Sequence, residues 1–204
     1  MRNRHTYLEF QNKLKDFEVV NSALINTYFP DFDSKRLNEW QKKGYIRKLI
    51  KSWYLFSDVN ITELSLFRWS NLLRKPSYIS LESAFTYYGF IPEQSFEIKA
   101  VTSLKTIHYN ILGKTFTYNT LSPTLLFGFK TILYNQKPIC MARLEKAILD
   151  YLYLHTGILD QHDFEALRWN RNQSIDWELL ESYLSVFHSK RVEKNINQFK
   201  KYMQ

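Results

Sequence analysis

The chain has 204 residues, of which 45% are hydrophobic and 17% aromatic, and this composition supports a packed core and excludes disorder as the main state. Its 28 basic and 20 acidic residues give a net charge of +8, which favours polyanionic partners. The single cysteine, Cys140, excludes a disulfide framework and a four-cysteine zinc site. The five glycines are too far apart for a phosphate-binding loop or a dinucleotide fingerprint.

The sequence contains no pattern of a secretory signal or a membrane span. No apolar run follows the first five residues, and the longest uncharged stretch, residues 115–129, is only 15 residues long and contains several polar side chains. Together with the lone cysteine, this favours a soluble protein in the reducing cytoplasm.

Positive charge is concentrated at the two ends of the chain. Residues 1–57 carry 11 basic and 6 acidic side chains, and residues 189–204 carry 5 and 1. Residues 140–188 are acidic instead, with 4 basic and 8 acidic side chains. This distribution predicts a basic N-terminal part that faces nucleic acid and a polarised C-terminal part, although the same charges could simply solvate the surface.

The N-terminal residues begin with the pattern of two short helices. Thr6 and Glu9 form a capping box ahead of a periodic apolar face, which predicts a first helix over residues 6–16. A second helix is predicted over residues 21–28, before Pro30. The side chains expected to point inward from the second helix are Ala23, Leu24 and Tyr28.

A third helix and a β-hairpin follow. Asp33 is a favourable N-cap, and the helix is expected to reach Lys43 and to end at Gly44. Two β-rich runs, residues 45–50 and 53–56, are separated by a short turn. Three helices and a hairpin in this order predict a winged helix-turn-helix domain over residues 1–57.

The third helix has a core face and a charged face. Leu37 and Trp40 are expected to point inward, so the opposite face would enter the major groove of DNA. Cations that flank the helix and the wing are expected to contact phosphates. The candidate DNA-binding residues are Lys35, Arg36, Asn38, Lys42, Lys43, Arg47, Lys48 and Lys51. A charged, solvated helix in a winged helix that binds protein is the alternative.

The remainder, residues 62–204, is predicted to be an α+β domain with a small, mainly antiparallel sheet and C-terminal helices. The expected elements begin with a helix ending before Pro76 and a helix from Ser80 to Gly89, followed by alternating strands around 96–100, 107–111 and 116–118. A strongly amphipathic helix is expected from Leu144. Two or three final helices complete the domain, and their apolar side includes Val192, Ile196, Phe199 and Met203.

Three groups of short stretches occur in an order and spacing that identify a family resemblance. They are residues 43–46 with Trp53-Tyr54, residues 76–84 with Tyr88-Gly89 and residues 91–93, and the run Glu-Lys-Ala-Ile-Leu-Asp at 145–150. Over about residues 10–154 the chain resembles the AbiE-type antitoxins of type IV toxin–antitoxin systems. Two positions depart from that pattern: Ser52 stands where glycine is usual, and Leu144 where proline is common.

The resemblance implies a bacterial, cytoplasmic regulator that is not an enzyme and needs no cofactor or metal. Its winged helix would bind double-stranded operator DNA and repress its own operon, and its C-terminal domain would counteract a nucleotidyltransferase-like toxin. Two alternatives are a solitary regulator without a toxin and a pure protein-interaction module. The oligomeric state and the operator sequence are left open by the sequence.

Candidate catalytic groups are few. Glu145 and Asp150 resemble nuclease acids, but Lys146 lies four residues before Asp150, and this spacing favours an exposed ion pair on a helix. Glu145 could instead bind a neighbouring backbone amide. His155 and His162 are seven residues apart without a carboxylate-rich motif, so a metal site there is not expected, and Cys140 is expected to be packed.

Overall fold

The computed structural model describes residues 5–92 and 97–204. Glu93, which belongs to one stretch of the family resemblance, and Phe96, which was assigned to a strand, lie outside the described residues. The chain divides between Thr62 and Glu63 into two compact units. Within the described residues the fold is α+β, with nine α-helices, a three-stranded antiparallel sheet and a six-stranded mixed sheet. No described helix is long and apolar enough to cross a membrane.

The N-terminal unit combines three helices with the smaller sheet. Its elements are α1 (Tyr7–Leu14), β1 (Val19–Asn21), α2 (Ser22–Tyr28), α3 (Lys35–Lys42), β2 (Ile46–Ile50) and β3 (Trp53–Phe56), with a 3-10 helix at Lys15–Phe17. Strand β3 lies between β1 and β2 and pairs antiparallel with both. Phe10, Leu14 and Trp40 are buried in the core between the helices.

Local signals in the sequence set the helix starts. The predicted capping box is confirmed, since the Glu9 amide donates to Thr6 Oγ1 at 3.3 Å and the Thr6 amide donates to Glu9 Oε2 at 2.7 Å. Asn21 caps α2 by accepting the Leu24 amide at 2.7 Å. The predicted inward face of α2 is wrong at one position, because Ala23 is exposed. The buried residue of this helix is Ile25.

The C-terminal unit is built around the larger sheet. Its elements are α4 (Glu63–Leu73), β4 (Ser77–Ile79), α5 (Leu81–Tyr87), β5 (Glu97–Thr102), β6 (Ile107–Ile111), β7 (Lys114–Thr120), β8 (Phe129–Tyr134), β9 (Lys137–Ala142), α6 (Leu144–Leu154), α7 (Gln161–Ala166), α8 (Trp177–Phe187) and α9 (Lys190–Met203), with a 3-10 helix at Pro123–Leu125. The strand order is β6-β7-β5-β4-β9-β8.

The sheet of this unit corrects the sequence prediction. It is mixed rather than mainly antiparallel, because β5 pairs parallel with β7 and β4 pairs parallel with β9. Alternation along a strand reports half-burial but carries no information about the direction of the neighbouring strand. Strands β4, β8 and β9 were not predicted at all.

Helix α6 lies at the centre of this unit. It packs against α5, α8 and α9, and every residue from Leu144 to Leu152 is buried. The prediction of a strongly amphipathic helix is therefore wrong for this element. Its charged residues, Glu145, Lys146 and Asp150, are buried together with the apolar ones.

Candidate nucleic-acid interface and buried ion pair

Local features of the sequence define both ends of helix α3. Ser34 occupies the N-cap position without a side-chain bond, and Asp33 Oδ1 accepts the Lys35 amide at 3.1 Å instead. At the other end Gly44 has φ +73°, a left-handed conformation that glycine adopts easily. The predicted helix end at Gly44 is confirmed.

The two faces of α3 are as the sequence predicted. Leu37 and Trp40 are buried, with 4% and 3% of their surface exposed. The opposite face is exposed to solvent and consists of Lys35, Asn38, Glu39 and Lys42. Because these four residues follow a spacing of three and four, they form one continuous stripe along the helix. We call them the α3 stripe.

Arg36 differs from the other candidate DNA-binding residues. Its guanidinium donates to Glu39 Oε2 at 2.8 Å and to the His5 carbonyl at 3.1 Å, and it lies 5.7 Å from the centre of the Trp40 ring. Arg36 is thus engaged within the N-terminal unit. Its ion pair also neutralises Glu39, the only acidic member of the α3 stripe.

The remaining candidates lie at the end of α3 and on the hairpin. Lys43, Arg47, Lys48 and Lys51 are all exposed. Arg47 and Lys48 are consecutive in β2 and pair with Leu55 and Tyr54 of β3, so their side chains point to opposite faces of the hairpin.

The hairpin turn contains a non-glycine residue in a left-handed backbone conformation. Ser52 has φ +66°, a conformation that costs a residue with a Cβ about 1–2 kcal/mol relative to glycine. The Ser52 carbonyl accepts the Ser22 amide at 3.0 Å, which ties the turn to the start of α2.

The C-terminal unit contains a buried ion pair. Lys146 and Asp150 contact each other through Nζ and Oδ1, and neither side chain is exposed. The prediction of an exposed pair is wrong, although the spacing of four residues is correct. Asp150 Oδ2 also accepts the hydroxyls of Tyr78 at 2.9 Å and Ser80 at 2.8 Å, and Lys146 Nζ donates to Tyr78 Oη at 2.8 Å. We call these four residues the buried cluster.

Burial works against both charges of the pair. Desolvation lowers the pKa of Lys146 and raises that of Asp150, while their mutual attraction opposes both shifts. The rings of Phe127 and Phe187 lie 5.1 and 5.0 Å from Lys146 Nζ and offer their negative faces to the ammonium. Every polar atom of the pair thus finds its partner inside the protein.

Ser80 shows how the buried cluster organises its surroundings. It occupies the N-cap of α5, as predicted, but makes no capping bond because its hydroxyl is directed to Asp150. Asp150 therefore joins the beginning of α5 to the middle of α6. Sequence reasoning missed Tyr78 and Ser80 as partners of this carboxylate, and no local signal indicates the contact.

Glu145 binds a backbone amide, which is the structural role that the sequence offered as an alternative to catalysis. Its Oε1 accepts the backbone amide of Asp176, the N-cap of α8, at 3.0 Å. Glu145 and Asp150 thus serve different hydrogen bonds, and the described residues contain no group of three or more potential metal ligands. His155 contacts Tyr151 of the same helix at 3.3 Å, and His162 is exposed on α7.

Comparison of the chain with protein-family models and with curated protein sequences gave no match.

Buried tyrosines should make the C-terminal unit sensitive to alkali. Burial raises the pKa of Tyr88 from 10.0 to about 12, and it also raises the pKa of Tyr78, Tyr118 and Tyr151. The unfolded chain releases these protons at lower pH than the folded chain does. The contribution of these tyrosines to the free energy of unfolding is therefore fully present below about pH 10, and it is lost as the pH rises from about 10 to 12.

Urea unfolding between pH 9 and 11.5 measures this loss. The variant Tyr88→Phe should show a shallower decline than the parent chain, because it has one fewer phenol to ionise on unfolding. Equal slopes for the two proteins would show that Tyr88 ionises equally easily in both states.

Proposed function

We propose that the chain is a DNA-binding transcriptional repressor and antitoxin of an AbiE-like type IV system. In this proposal the N-terminal unit is the DNA-binding domain, a winged helix-turn-helix, and the C-terminal unit counteracts a nucleotidyltransferase-like toxin. The observation that carries the DNA-binding part is the α3 stripe, a solvent-exposed helical face whose only acid is already paired. The order α1-β1-α2-α3-β2-β3, with β3 central in an antiparallel sheet, supports the winged-helix part of this proposal.

The α3 stripe has the chemistry needed to read bases. The amide of Asn38 can make two hydrogen bonds to adenine, and Lys35 and Lys42 can donate to guanine or to phosphate oxygens. An uncompensated carboxylate at the centre of the stripe would repel the phosphates of the DNA. The ion pair of Arg36 with Glu39 removes that repulsion, so Arg36 supports the surface and the lysines contact the DNA.

The wing adds phosphate contacts. Lys51 lies at the tip of the hairpin and Lys43 at the end of α3, and both side chains are exposed to solvent. Each cation that neutralises a phosphate releases condensed counterions, so the affinity should fall steeply as the salt concentration rises. The two-residue turn leaves little length for reading bases deep in a groove.

Fluorescence anisotropy with the chain's own upstream DNA tests this function. The double variant Lys35→Gln/Lys42→Gln should bind that duplex about 100-fold more weakly, since each base contact discriminates by about 1–3 kcal/mol. Lys51→Gln should weaken binding to every sequence alike and reduce the salt slope by about one unit. Lys105→Gln, which removes an exposed lysine of the C-terminal unit, is the matched control and should leave the affinity unchanged.

Three results would contradict the proposal. Equal affinity for the upstream duplex and a scrambled duplex would remove sequence-specific repression. Loss of binding in Lys105→Gln as large as in the α3 double variant would show that net charge, and not the α3 stripe, determines the affinity. Co-purification of an adjacent gene product without any DNA binding would favour a protein-interaction module instead.

The antitoxin part depends on the resemblance and needs a separate test. Co-expression with a nucleotidyltransferase-like product of the adjacent reading frame should restore growth. The Lys35→Gln/Lys42→Gln variant should still restore it, because the proposed antitoxin surface belongs to the C-terminal unit. Growth arrest that persists with the intact chain would leave a solitary regulator.

A further inference from the structure

The C-terminal unit contains a cavity of about 560 Å³. Its lining residues come from α4, β4, β8 and β9 and from the segments that lead into β4 and β8. The volume falls within the range of about 300–1,000 Å³ that is typical of small-molecule sites. All lining residues belong to this one unit, so the cavity is complete within it.

Much of the cavity wall is apolar. Leu72, Leu126 and Pro138 contribute aliphatic surface, and the aromatic ring of Phe129 lies beside them. Water in contact with such a wall is released when an apolar ligand enters, and this release favours binding. The wall therefore suits a ligand with an apolar body.

The uncharged polar groups of the wall are used by the protein itself. The Asn71 side chain accepts the Cys140 amide at 2.8 Å and donates to the Ser77 carbonyl at 3.4 Å. The Ser77 hydroxyl donates to the Arg74 carbonyl at 2.6 Å. The Tyr78 hydroxyl is engaged in the buried cluster. These bonds hold the wall in shape, and a ligand would have to break them to use the same groups.

The two cations of the wall do not provide a site for an anion. Arg68 is 7% exposed and already has an interaction partner within the protein. Lys75 is exposed, and a lysine ammonium in contact with water is strongly hydrated. A buried carboxylate would thus lose its water without gaining a free partner, which is costly. The cavity therefore favours an uncharged ligand.

An aromatic platform gives the cavity its selectivity. The ring of Phe129 stacks on that of Tyr78, with 4.9 Å between the ring centres and 23° between the ring planes. Tyr78 is 1% exposed and is fixed by its hydroxyl, whereas Phe129 is 43% exposed. Stacked aromatic rings attract each other beyond the effect of their buried area. Phe129 can therefore accept a further ring on its exposed surface.

We propose that this cavity binds an uncharged aromatic molecule of one or two fused rings, which stacks on Phe129 and packs against Leu72 and Leu126. The aromatic body follows from the stacked pair of Tyr78 and Phe129, and the lack of charge follows from the engaged polar groups of the wall. This site is separate from the α3 stripe and does not depend on the DNA-binding proposal.

Isothermal titration calorimetry on the full chain tests the site with three matched probes. These are 2-naphthol, its saturated analogue decahydro-2-naphthol, and the anion 2-naphthoate. A dissociation constant on the order of 100 µM is expected for 2-naphthol, which is typical of a ligand of its size. The saturated alcohol should bind about three- to tenfold more weakly because it cannot stack. The anion should bind at least about tenfold more weakly than 2-naphthol.

The thiol of Cys140 reports where the ligand binds. Cys140 is the single cysteine of the chain, it lines the cavity and it is only partly buried. Saturating 2-naphthol should slow the reaction of this thiol with N-ethylmaleimide several-fold. The urea-unfolded chain is the control, and its labelling rate should be the same with and without 2-naphthol.

A pair of exposed substitutions on β8 tests the stacking. Phe129→Leu should weaken 2-naphthol about three- to tenfold and leave decahydro-2-naphthol unchanged, because only the aromatic contact is lost. Leu133→Ala is the matched control. Leu133 is 71% exposed on the same strand but lies outside the cavity lining, so this variant should bind all three probes like the parent chain.

Several outcomes would overturn the proposal. Absence of 2-naphthol binding, or binding that leaves the labelling of Cys140 unchanged, would show that the cavity is not the site. Equal affinity for the saturated alcohol, or an unchanged affinity in Phe129→Leu, would remove the aromatic preference. Tighter binding of 2-naphthoate would show that the ligand is an anion. Self-association that Phe129→Leu weakens, without binding of any probe, would assign the apolar wall to a second copy of the chain.

Discussion

Replacing Asp150 with alanine should destabilise the C-terminal unit by about 3–5 kcal/mol, because the substitution leaves the ammonium of Lys146 buried without its carboxylate. Lys146 has no exposed surface through which water could replace the lost partner. The hydroxyls of Tyr78 and Ser80 also lose their acceptor. Urea unfolding at pH 7, followed by far-ultraviolet circular dichroism, measures the change in the free energy of unfolding.

A double variant separates the two contributions to this cost. Lys146→Met/Asp150→Leu removes both charges and keeps side chains of similar volume, so it should recover most of the stability that Asp150→Ala loses. Asp150→Asn should lie between them, because an amide can still accept from Tyr78 or Ser80. If the double variant were as unstable as Asp150→Ala, shape and not an unpaired charge would be responsible.

The buried cluster also accounts for two of the groups of stretches that carry the family resemblance. Tyr78 and Ser80 belong to the stretch at residues 76–84, and Lys146 and Asp150 belong to the stretch at residues 145–150, about 70 residues later. These stretches meet through hydrogen bonds that no solvent reaches. Their spacing is thus explained by the packing of α5 and β4 against α6.

The N-terminal elements were predictable because their signals are local. The capping box of Thr6, the glycine after α3 and the short hairpin turn all act within a few residues of sequence. Strand β1 was missed for the opposite reason. It has only three residues, and Val19 and Val20 are both buried, so it shows no alternation and is stabilised by pairing with β3 some 35 residues later.

The burial of Lys146 and Asp150 was not predictable from their spacing. A pair four residues apart has the same sequence pattern on an exposed helix and in a core. What decides its position is the packing around α6, which includes the unpredicted strand β4 that carries Tyr78.

Gly128→Ala is expected to have the next largest effect, a loss of about 2–4 kcal/mol, because it combines backbone strain with overpacking. Gly128 has φ +68°, and an added Cβ would lie 2.9 Å from Tyr183 Cε2 and 3.0 Å from Lys146 Cγ. The stem of Lys146 cannot give way easily because its ammonium is bound to Asp150. Thermal unfolding of the full chain measures the loss.

Gly113→Ala is the matched control for this substitution. Gly113 has φ +78°, but an added Cβ would meet nothing within 4 Å, so this variant reports the backbone strain alone. Its cost should be about 1 kcal/mol. The difference between the two variants then measures how closely the buried cluster is packed against Gly128. Equal losses would mean that Lys146 can move away, which is incompatible with an ammonium held in place by Asp150 and Tyr78.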